Sequence, residues 1–166
     1  MTVDQIKKRL GLIPHPEGGS YIQTYKSRES LAKDALDPRY PAARSTGTAI
    51  YYLLEPGIFS EMHRLKSDEI FHFYLGHPVE QLQLWPDGSS RIAVIGSDLE
   101  RGQSPQLVVP KNVWQGARLL PGGSFALLGC TVAPGFEFED YESGTRESLA
   151  QQFPSQHKLI SALTRH

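Results

Sequence analysis

Apolar and polar residues alternate along many short segments of this chain, and most segments end at a glycine or a proline. A period of two is typical of strands that bury one face. The closely spaced turn residues favour an antiparallel fold of about eight to ten strands. The clearest predicted strands are Ser20–Ser27, Thr48–Leu54, Val79–Trp85, Arg91–Ile95, Gln106–Val109, Val113–Leu120 and Ser124–Val132.

Helical periodicity occurs only near the two ends of the chain. Residues 2 to 10 place Val3, Ile6 and Leu10 on one face, and Thr2 with Gln5 fits a capping box. Two more short helical patterns follow Arg146, separated by a proline. The sequence therefore predicts an all-β sandwich or barrel with short N- and C-terminal helices.

Turn chemistry predicts which strands are neighbours. Pro86-Asp87-Gly88-Ser89 predicts a hairpin over Gln81–Ile95. Pro121-Gly122-Gly123 predicts a second hairpin between the two strands that flank it. Phe136–Tyr141 alternates aromatic with acidic side chains for most of its length, which predicts an extended segment with one face of each kind.

Composition narrows the class of protein. With 166 residues, 39% hydrophobic and 21% charged, the chain is typical of one globular domain over residues 1–166. A net charge of −1, with thinly spread Lys and Arg, does not favour a nucleic-acid partner. No apolar run approaches the ~20 residues that span a bilayer. A single cysteine and no visible leader segment favour a cytoplasmic protein.

The candidate chemistry lies in residues 57–76. This stretch resembles the first motif of the cupins, which reads Gly, five residues, His-x-His, three or four residues, Glu, six residues, Gly. The positions that match are Gly57, His63, Glu69 and Gly76. Leu65 takes the place of the second histidine. In the second cupin motif Pro110 matches, but Asn112, Gln115 and Leu119 replace the Gly, His and Asn.

The whole chain is more closely similar to one narrower group, the cupin-like family called domain of unknown function 985. The matching segments include residues 14–19, 50–54, 59–60, 63–64, 67–69, 71–74, 109–110, 114–115 and 133–136. The resemblance implies a cupin-type jelly roll, or double-stranded β-helix barrel, with a pocket at the barrel mouth. It also implies a homodimer. It implies no established activity.

Metal binding is the first hypothesis that a cupin resemblance raises. Metal-binding cupins use three imidazoles and one carboxylate, and imidazole suits several transition metals. Here only His63 and Glu69 stand at ligand positions, and Gln115 offers a neutral carbonyl oxygen. We therefore expect no metal or other cofactor. If a metal were bound, its ligands would be these three residues.

Three functional hypotheses follow. In the first, His63 and Glu69 form a general acid–base pair, and the chain is an isomerase or epimerase acting on a sugar or nucleotide-like metabolite. In the second, the chain binds a small molecule without chemistry, in a pocket lined by aromatic residues. The aromatic candidates are Phe59, Tyr51, Trp114 and Tyr74. The third is a metal-dependent cupin dioxygenase.

For several other residues the sequence leaves open whether the side chain faces the pocket. On a regular strand that points Glu69 inward, His72 points outward, whereas a bulge would turn it into the pocket. His15 either faces solvent or reaches the pocket. Cys130 is expected to be a small buried hydrophobic residue. An acidic cluster either forms a solvated face or contributes a carboxylate that closes over the barrel mouth. Its members are Glu137, Glu139 and Asp140.

Overall fold

The computed structural model describes residues 1–166, which form thirteen strands and three α-helices. The helices are α1 (Val3–Leu10), α2 (Arg146–Gln152) and α3 (His157–Ala162). The strands are β1 (Ile13–Pro14), β2 (Ser20–Lys26), β3 (Ser30–Leu31), β4 (Arg44–Ser45), β5 (Thr48–Leu54), β6 (Phe59–Arg64), β7 (Asp68–Gly76), β8 (Val79–Leu84), β9 (Ser90–Ile95), β10 (Gln106–Val109), β11 (Trp114–Leu119), β12 (Ala126–Ala133) and β13 (Glu142–Ser143).

The strands form two antiparallel sheets and a small ribbon. One sheet has the order β1-β2-β5-β12-β7-β10, the other has the order β13-β6-β11-β8-β9, and β3 pairs with β4. From β5 to β8 the chain changes sheet at every connection, which is the behaviour of a jelly roll. The predicted all-β jelly-roll barrel with short N- and C-terminal helices is confirmed.

The stretch that carries the candidate chemistry crosses from one sheet to the other. β6 belongs to the five-stranded sheet and β7 to the six-stranded sheet, and the link at residues 65–67 joins them at one end of the barrel. The Asn112 N–H donates to the Leu65 carbonyl at 3.0 Å, and Asn112 has a φ of 65°. Asn tolerates this left-handed conformation better than most residues. This corner places His63 and Glu69 on strands of opposite sheets.

A β-bulge interrupts the pairing of β6 with β11. Gln115 opposes His63 and Ala117 opposes Ser60, so two residues of β6 face the single Gly116 between them. An extra residue bends a strand and re-aims its side chains. Ser60 and His63, three residues apart, both form contacts inside the barrel as a result.

Three local predictions have definite outcomes. The hairpin of β8 and β9 is confirmed, with Val79 paired to Ile95 at one end and Leu84 to Ser90 at the other. The hairpin at residues 121–123 is wrong, because β11 and β12 lie in different sheets. The extended segment at residues 136–141 is also wrong, since Phe138–Asp140 is a 3-10 turn. Alternation in a loop held by tertiary contacts was mistaken for a strand.

The helices cover the outside of the sheets. α1 begins at the predicted capping box, in which Thr2 and Gln5 exchange hydrogen bonds. α2 and α3 pack apolar side chains such as Leu149 and Ile160 against Met62 of the five-stranded sheet. A larger core of thirteen buried residues fills the space between the two sheets. None of the helices is long and apolar enough to cross a membrane.

Candidate functional site

A cavity of about 210 Å³ opens between the sheets at the end of the barrel where the 65–67 link crosses. Its wall contains two imidazoles, two carboxyl groups and one thiol among otherwise apolar or neutral side chains. The lining residues are His15, Glu17, Tyr21, Gln23, Thr48, Ile50, His63, Leu65, Glu69, Cys130, Val132, Phe136 and Phe138.

His63 is the fixed imidazole of this site. Its side chain is 2% exposed, and Nδ1 lies 2.7 Å from the Glu61 carbonyl oxygen. A carbonyl oxygen only accepts hydrogen bonds, so Nδ1 must carry the proton that it donates. In the neutral ring Nε2 then has a free lone pair. That atom lies 3.3 Å from Glu17 Oε2.

The contact joins two buried ionisable groups, His63 and Glu17. Burial lowers the pKa of His63, although the nearby Glu69 carboxylate opposes the effect. Burial raises the pKa of Glu17, although His15 and a hydrogen bond from Ser60 oppose it. Both directions disfavour the charged form of the group concerned. The 3.3 Å separation allows a proton to pass between the two groups.

Glu17 reaches the cavity from the loop between β1 and β2. Its Oε1 accepts a hydrogen bond from Ser60 Oγ at 3.0 Å, and its backbone carbonyl accepts from the Glu61 N–H at 2.9 Å. The following Gly18 has a φ of 110°, and a side chain there would collide with the Phe59 carbonyl. Only glycine allows the loop to approach β6 this closely. Sequence reasoning missed Glu17, although it lies inside the family-like segment at residues 14–19.

His15 also lines the cavity, which corrects the alternative that it faces solvent. Its side chain is 6% exposed, and its ring packs edge to face on Tyr21 at a centroid distance of 4.5 Å. The Glu17 N–H donates to His15 Nδ1 at 3.1 Å, so the proton of the neutral ring is on Nε2. Burial lowers the pKa of His15, against the opposing pull of Glu17. His15 is therefore a neutral wall residue.

Glu69 is the second carboxyl group of the cavity. Gln115 Nε2 donates to its Oε2 at 2.7 Å. Burial, followed by the nearby Glu17, raises the pKa of Glu69 to about 7, while His63 and Gln115 act in the opposite direction. Near neutral pH this group therefore exchanges readily between carboxylic acid and carboxylate, which is the property that a general acid or base needs.

Three buried glutamines form a chain of side-chain hydrogen bonds that ends at Glu69. Gln81 Nε2 lies 3.5 Å from Gln115 Oε1, and Gln83 Nε2 donates to Gln81 Oε1 at 3.0 Å. Each amide NH₂ points along the chain toward Glu69, so the amide dipoles favour its ionised form. Gln83 Oε1, at the far end, is buried without a hydrogen-bond partner.

Tyr141 covers the imidazole of His63. The two rings stack at a centroid distance of 4.9 Å with an interplanar angle of 19°. The Tyr141 hydroxyl donates to Glu61 Oε1 at 2.7 Å. Burial and the nearby Glu17 raise its pKa, so the phenol stays protonated. Sequence reasoning missed this residue because its partner lies 78 positions away and no local pattern marks the contact.

Cys130 lines the cavity as a buried thiol, 3% exposed. Burial, Glu69 and Glu17 all raise its pKa, so it remains protonated. A thiol rather than a thiolate is a poor nucleophile. The expectation of a small buried side chain at this position is confirmed.

The structure brings together only part of the predicted site. His63 and Glu69 both line the cavity, and Gln115 contacts Glu69 without lining it. His72 lies outside the cavity, where its Nε2 is 3.0 Å from Thr131 Oγ1. Its place in the predicted pocket is corrected in favour of the outward orientation of a regular strand.

The four aromatic candidates also lie outside the cavity, which corrects their predicted role in its wall. Trp114 and Phe59 pack with the buried cluster beneath α2 and α3. Tyr51 and Tyr74 contact each other edge to face at 5.9 Å. Trp114, Tyr51 and Tyr74 are sequence neighbours of inward-facing residues, so strand alternation turns them outward. The aromatic rings of the cavity instead come from Tyr21, Phe136 and Phe138.

The acidic cluster has a structural role that neither alternative anticipated. Asp140 is 4% exposed and receives two hydrogen bonds from the fully buried Arg44, at 2.6 and 2.9 Å. Glu139 also pairs with Arg44, at 2.9 Å, and Glu137 pairs with Lys26 at 2.8 Å. None of the three lines the cavity. They anchor the segment that carries Phe136 and Phe138.

The side chains present do not fit a metal ion of the cupin type. No three His, Cys, Asp or Glu side chains converge on one point where a metal could bind. Leu65 presents an apolar side chain to the cavity in place of a ligand. Gln115 turns its NH₂ group to Glu69 and its oxygen to Gln81, so its carbonyl oxygen is not directed at His63. The arrangement is suited to moving protons instead.

Comparisons with known proteins agree with the geometry. The sequence model of the family described as "Cupin superfamily (DUF985)" matches residues 4–144. An uncharacterized protein of Saccharomyces cerevisiae, YML079W, is 30% identical over 148 residues, covering 84% of this chain and 74% of its own length. The family resemblance found in the sequence is confirmed.

Solved structures share the fold. A hypothetical protein from Leishmania major has a TM-score of 0.90 with 28% identity over the full length of both chains. Protein SO0799 from Shewanella oneidensis has a TM-score of 0.87 with 34% identity, over 99% of this chain and 98% of its own. Oxalate decarboxylase from Bacillus subtilis has a TM-score of 0.54 with 17% identity, over 90% of this chain and 36% of its own, so it shares the fold alone.

Proposed function

This chain belongs to the cupin superfamily, in the family described as DUF985, and from that premise we propose that it is an isomerase or epimerase that moves protons on a small polar metabolite without a metal. The metabolite binds in the barrel cavity. The observation that carries the proposal is the 3.3 Å contact between His63 and Glu17, which line one cavity with Glu69, a carboxyl group whose pKa burial raises to about 7.

The groups supply both halves of a proton transfer. Glu69, in its ionised form, accepts the proton of a carbon next to a carbonyl, and the electrons of the broken C–H bond move into the carbonyl group. The His63–Glu17 pair donates its proton to the carbonyl oxygen, which gives a neutral enol. Return of a proton to the carbon restores the carbonyl and returns the other proton to the pair. No electrons are gained or lost, so no redox partner is needed.

Deuterium exchange tests this function. Candidate aldoses and ketoses are incubated with the protein in D₂O, and NMR follows loss of the C–H signal next to the carbonyl. His63→Ala should lower the exchange rate by about 10²- to 10⁴-fold, the usual contribution of a general acid or base. Glu69→Gln, which keeps an acceptor for Gln115, should have an effect of the same order.

His72→Ala is the matched control, because His72 lies on β7 but outside the cavity. It should leave the exchange rate unchanged. Far-UV circular dichroism and a melting curve establish that each variant is folded. An unchanged rate in folded His63→Ala would contradict the proposal, as would the absence of exchange in every compound tried.

A second candidate function is ligand binding without turnover. The cavity contains rings from Tyr21, Phe136 and Phe138, and aromatic faces stack on sugar and base rings. This function predicts a ligand that binds measurably and shows no exchange. The third hypothesis, a metal-dependent dioxygenase, is not supported by the donor set, because Leu65 and Gln115 offer no ligand to the cavity.

We also propose a second copy of the chain as its partner. The family resemblance favours a homodimer, and the two sheets end in β10 and in β9, whose edge is bonded by Ser104 only near Val94–Gly96. Exposed edges are commonly covered by another element or subunit. A solution mass of twice 18.5 kDa is the expected result.

A further inference from the structure

The cavity lining contains acidic side chains but no lysine or arginine. Glu17 and Glu69 supply two carboxyl groups, and none of the thirteen lining residues is Lys or Arg. A phosphate or carboxylate group is normally held by Arg or Lys side chains. An anionic ligand would meet no such partner in this cavity.

Three cations of the chain are paired with carboxylates that do not line the cavity. Arg44, whose side chain is fully buried, is held by two acidic residues, and Lys26 and Arg165 each face one. The corresponding pairs are Arg44–Asp140, Arg44–Glu139, Lys26–Glu137 and Arg165–Glu61. The buried Arg44 is fully engaged by Asp140 and Glu139, and Lys26 and Arg165 are about half exposed and do not line the cavity.

The aromatic part of the cavity lining suits a positive charge. Rings of Tyr21, Phe136 and Phe138 line the cavity, and Phe136 and Phe138 meet edge to face at a centroid distance of 5.0 Å. The face of an aromatic ring attracts a cation, most strongly where water is excluded. Carboxyl groups and aromatic rings together form a site that favours ammonium ions over neutral or anionic groups of equal size.

We propose that the ligand of this cavity is a small metabolite that carries a protonated amine, held between the carboxyl groups and the aromatic wall. Its identity as a substrate rests on the proposed function, whereas its binding does not. A volume of about 210 Å³ equals about seven water molecules in the liquid, which suits a compound with on the order of ten non-hydrogen atoms. An amine-bearing sugar or an amino ketone has this size and charge.

Binding of the cation is coupled to a proton. An ammonium group beside Glu69 favours its ionised form, so the carboxyl group releases its proton when the ligand enters. Glu69 is also faced by Gln115 from β11 and by His63 from β6, with Cys130 of β12 and Glu17 of the β1–β2 loop nearby. None of these carries a fixed positive charge that would replace the ligand. Affinity should therefore rise between about pH 6 and pH 8.

Three probes of one shape test the charge preference. Isothermal titration calorimetry compares cyclohexylammonium, cyclohexanol and cyclohexanecarboxylate on the wild-type chain. We expect the cation to bind at least about tenfold more tightly than the alcohol, and the carboxylate to bind more weakly than either. Titration in buffers of different ionisation enthalpy should show proton release with the cation at pH 6.5 and little release at pH 8.5.

Glu69→Gln isolates the contribution of one carboxyl group. The substitution should bring the affinities of cyclohexylammonium and cyclohexanol to within about threefold of each other and remove the proton release. Glu80→Gln is the matched control, because it removes the same charge from β8 at a carboxylate that pairs with Arg118 outside the cavity. It should leave the tenfold preference intact.

The outcomes separate binding from catalysis. Equal affinity of the cation and the alcohol for the wild-type chain, or tightest binding of the carboxylate, would overturn the inference without reference to any variant. Persistence of the full preference in folded Glu69→Gln would also overturn it. A clear preference for the cation, with no deuterium exchange in any amine-bearing carbonyl compound, would uphold the inference and reject the proposed reaction.

Discussion

The buried carboxyl groups of this molecule fall into two sets, which differ in the charge of the groups that contact them. Asp140 is 4% exposed and meets a guanidinium group that donates two hydrogen bonds to it. Glu17 and Glu69 are each 8% exposed, and the groups that contact them are a hydroxyl, an amide and an imidazole. Asp140 therefore has a permanently charged partner, whereas Glu17 and Glu69 have no such partner.

The difference separates a structural ion pair from a reactive site. A buried charge is costly unless it is paired and hydrogen-bonded. Arg44 removes that cost for Asp140 and, by pairing with it, has its own pKa raised. No cation offsets this cost for Glu17 and Glu69, so burial raises the pKa of both. Their charge depends on pH and on what enters the cavity.

The largest expected effect on stability comes from breaking the buried ion pair of Arg44 and Asp140. Arg44→Met leaves Asp140 buried without an opposite charge, and removal of one partner of a buried pair costs about 3–5 kcal/mol. We expect a loss of that size in the free energy of unfolding measured in urea. The double variant Arg44→Met/Asp140→Leu should recover much of the loss, because no unpaired charge remains.

Arg64→Ala is the control for this prediction. Arg64 also makes a bidentate pair, with Glu142, but the side chains are 36% and 55% exposed. Exposed pairs contribute about 0–1 kcal/mol. Equal losses in Arg44→Met and Arg64→Ala would show that burial does not distinguish the two pairs.

Replacing Glu69 should have an intermediate effect on the free energy of unfolding, and the effect should depend on pH. Its pKa is about 7 in the folded chain against an ordinary value of 4.5, so the folded state binds the proton more tightly. This favours folding below about pH 4.5, and the advantage is lost as the pH rises through 7. Glu69→Gln should therefore be more stable than wild type at pH 8, by up to about 3 kcal/mol.

Urea unfolding between pH 4 and pH 9 measures this difference. The two proteins should have similar stability at pH 4, where the carboxyl group is protonated in both states. Glu80→Gln, which removes a carboxyl group outside the cavity, should show no comparable rise. A Glu69→Gln difference that is constant across the pH range would refute the raised pKa.

The smallest expected effect comes from removing the Gln115 amide that donates a hydrogen bond to Glu69. Gln115→Met removes the donor at 2.7 Å, and loss of a hydrogen bond to the ionised form should raise the pKa of Glu69 further. The expected change is worth about 1 kcal/mol. NMR titration of the labelled carboxyl carbon measures it. Gln83→Met, at the far end of the glutamine chain, should move the titration much less.

Part of the site was readable from local spacing. His63 and Glu69 stand at two positions of one continuous motif, and the structure places both in the same cavity. Leu65 marked the missing metal ligand, and it lines the cavity as an apolar side chain. These positions meet because a strand, a short link and a second strand fix the relation between residues that are close in sequence.

The missed residues reach the site from distant segments. Glu17 enters on a loop 46 positions before His63, and Tyr141 stacks on the same imidazole from 78 positions after it. The sequence offered one usable signal for Glu17, the Pro- and Gly-rich segment around it. No signal distinguished Tyr141 from the acidic residues beside it, because its role depends on how Arg44 anchors that segment.

The sequence by itself determined the jelly roll, its terminal helices and the strand positions of His63 and Glu69, because strand period, turn residues and capping are local properties of the chain. Only the tertiary structure decided which aromatic rings face the cavity, since a bulge and the crossing between sheets set the direction of side chains. It also decided that Glu17 joins His63 and that no lysine or arginine lines the cavity. Burial and charge pairing are long-range properties, so the protonation chemistry of this site exists only in the folded chain.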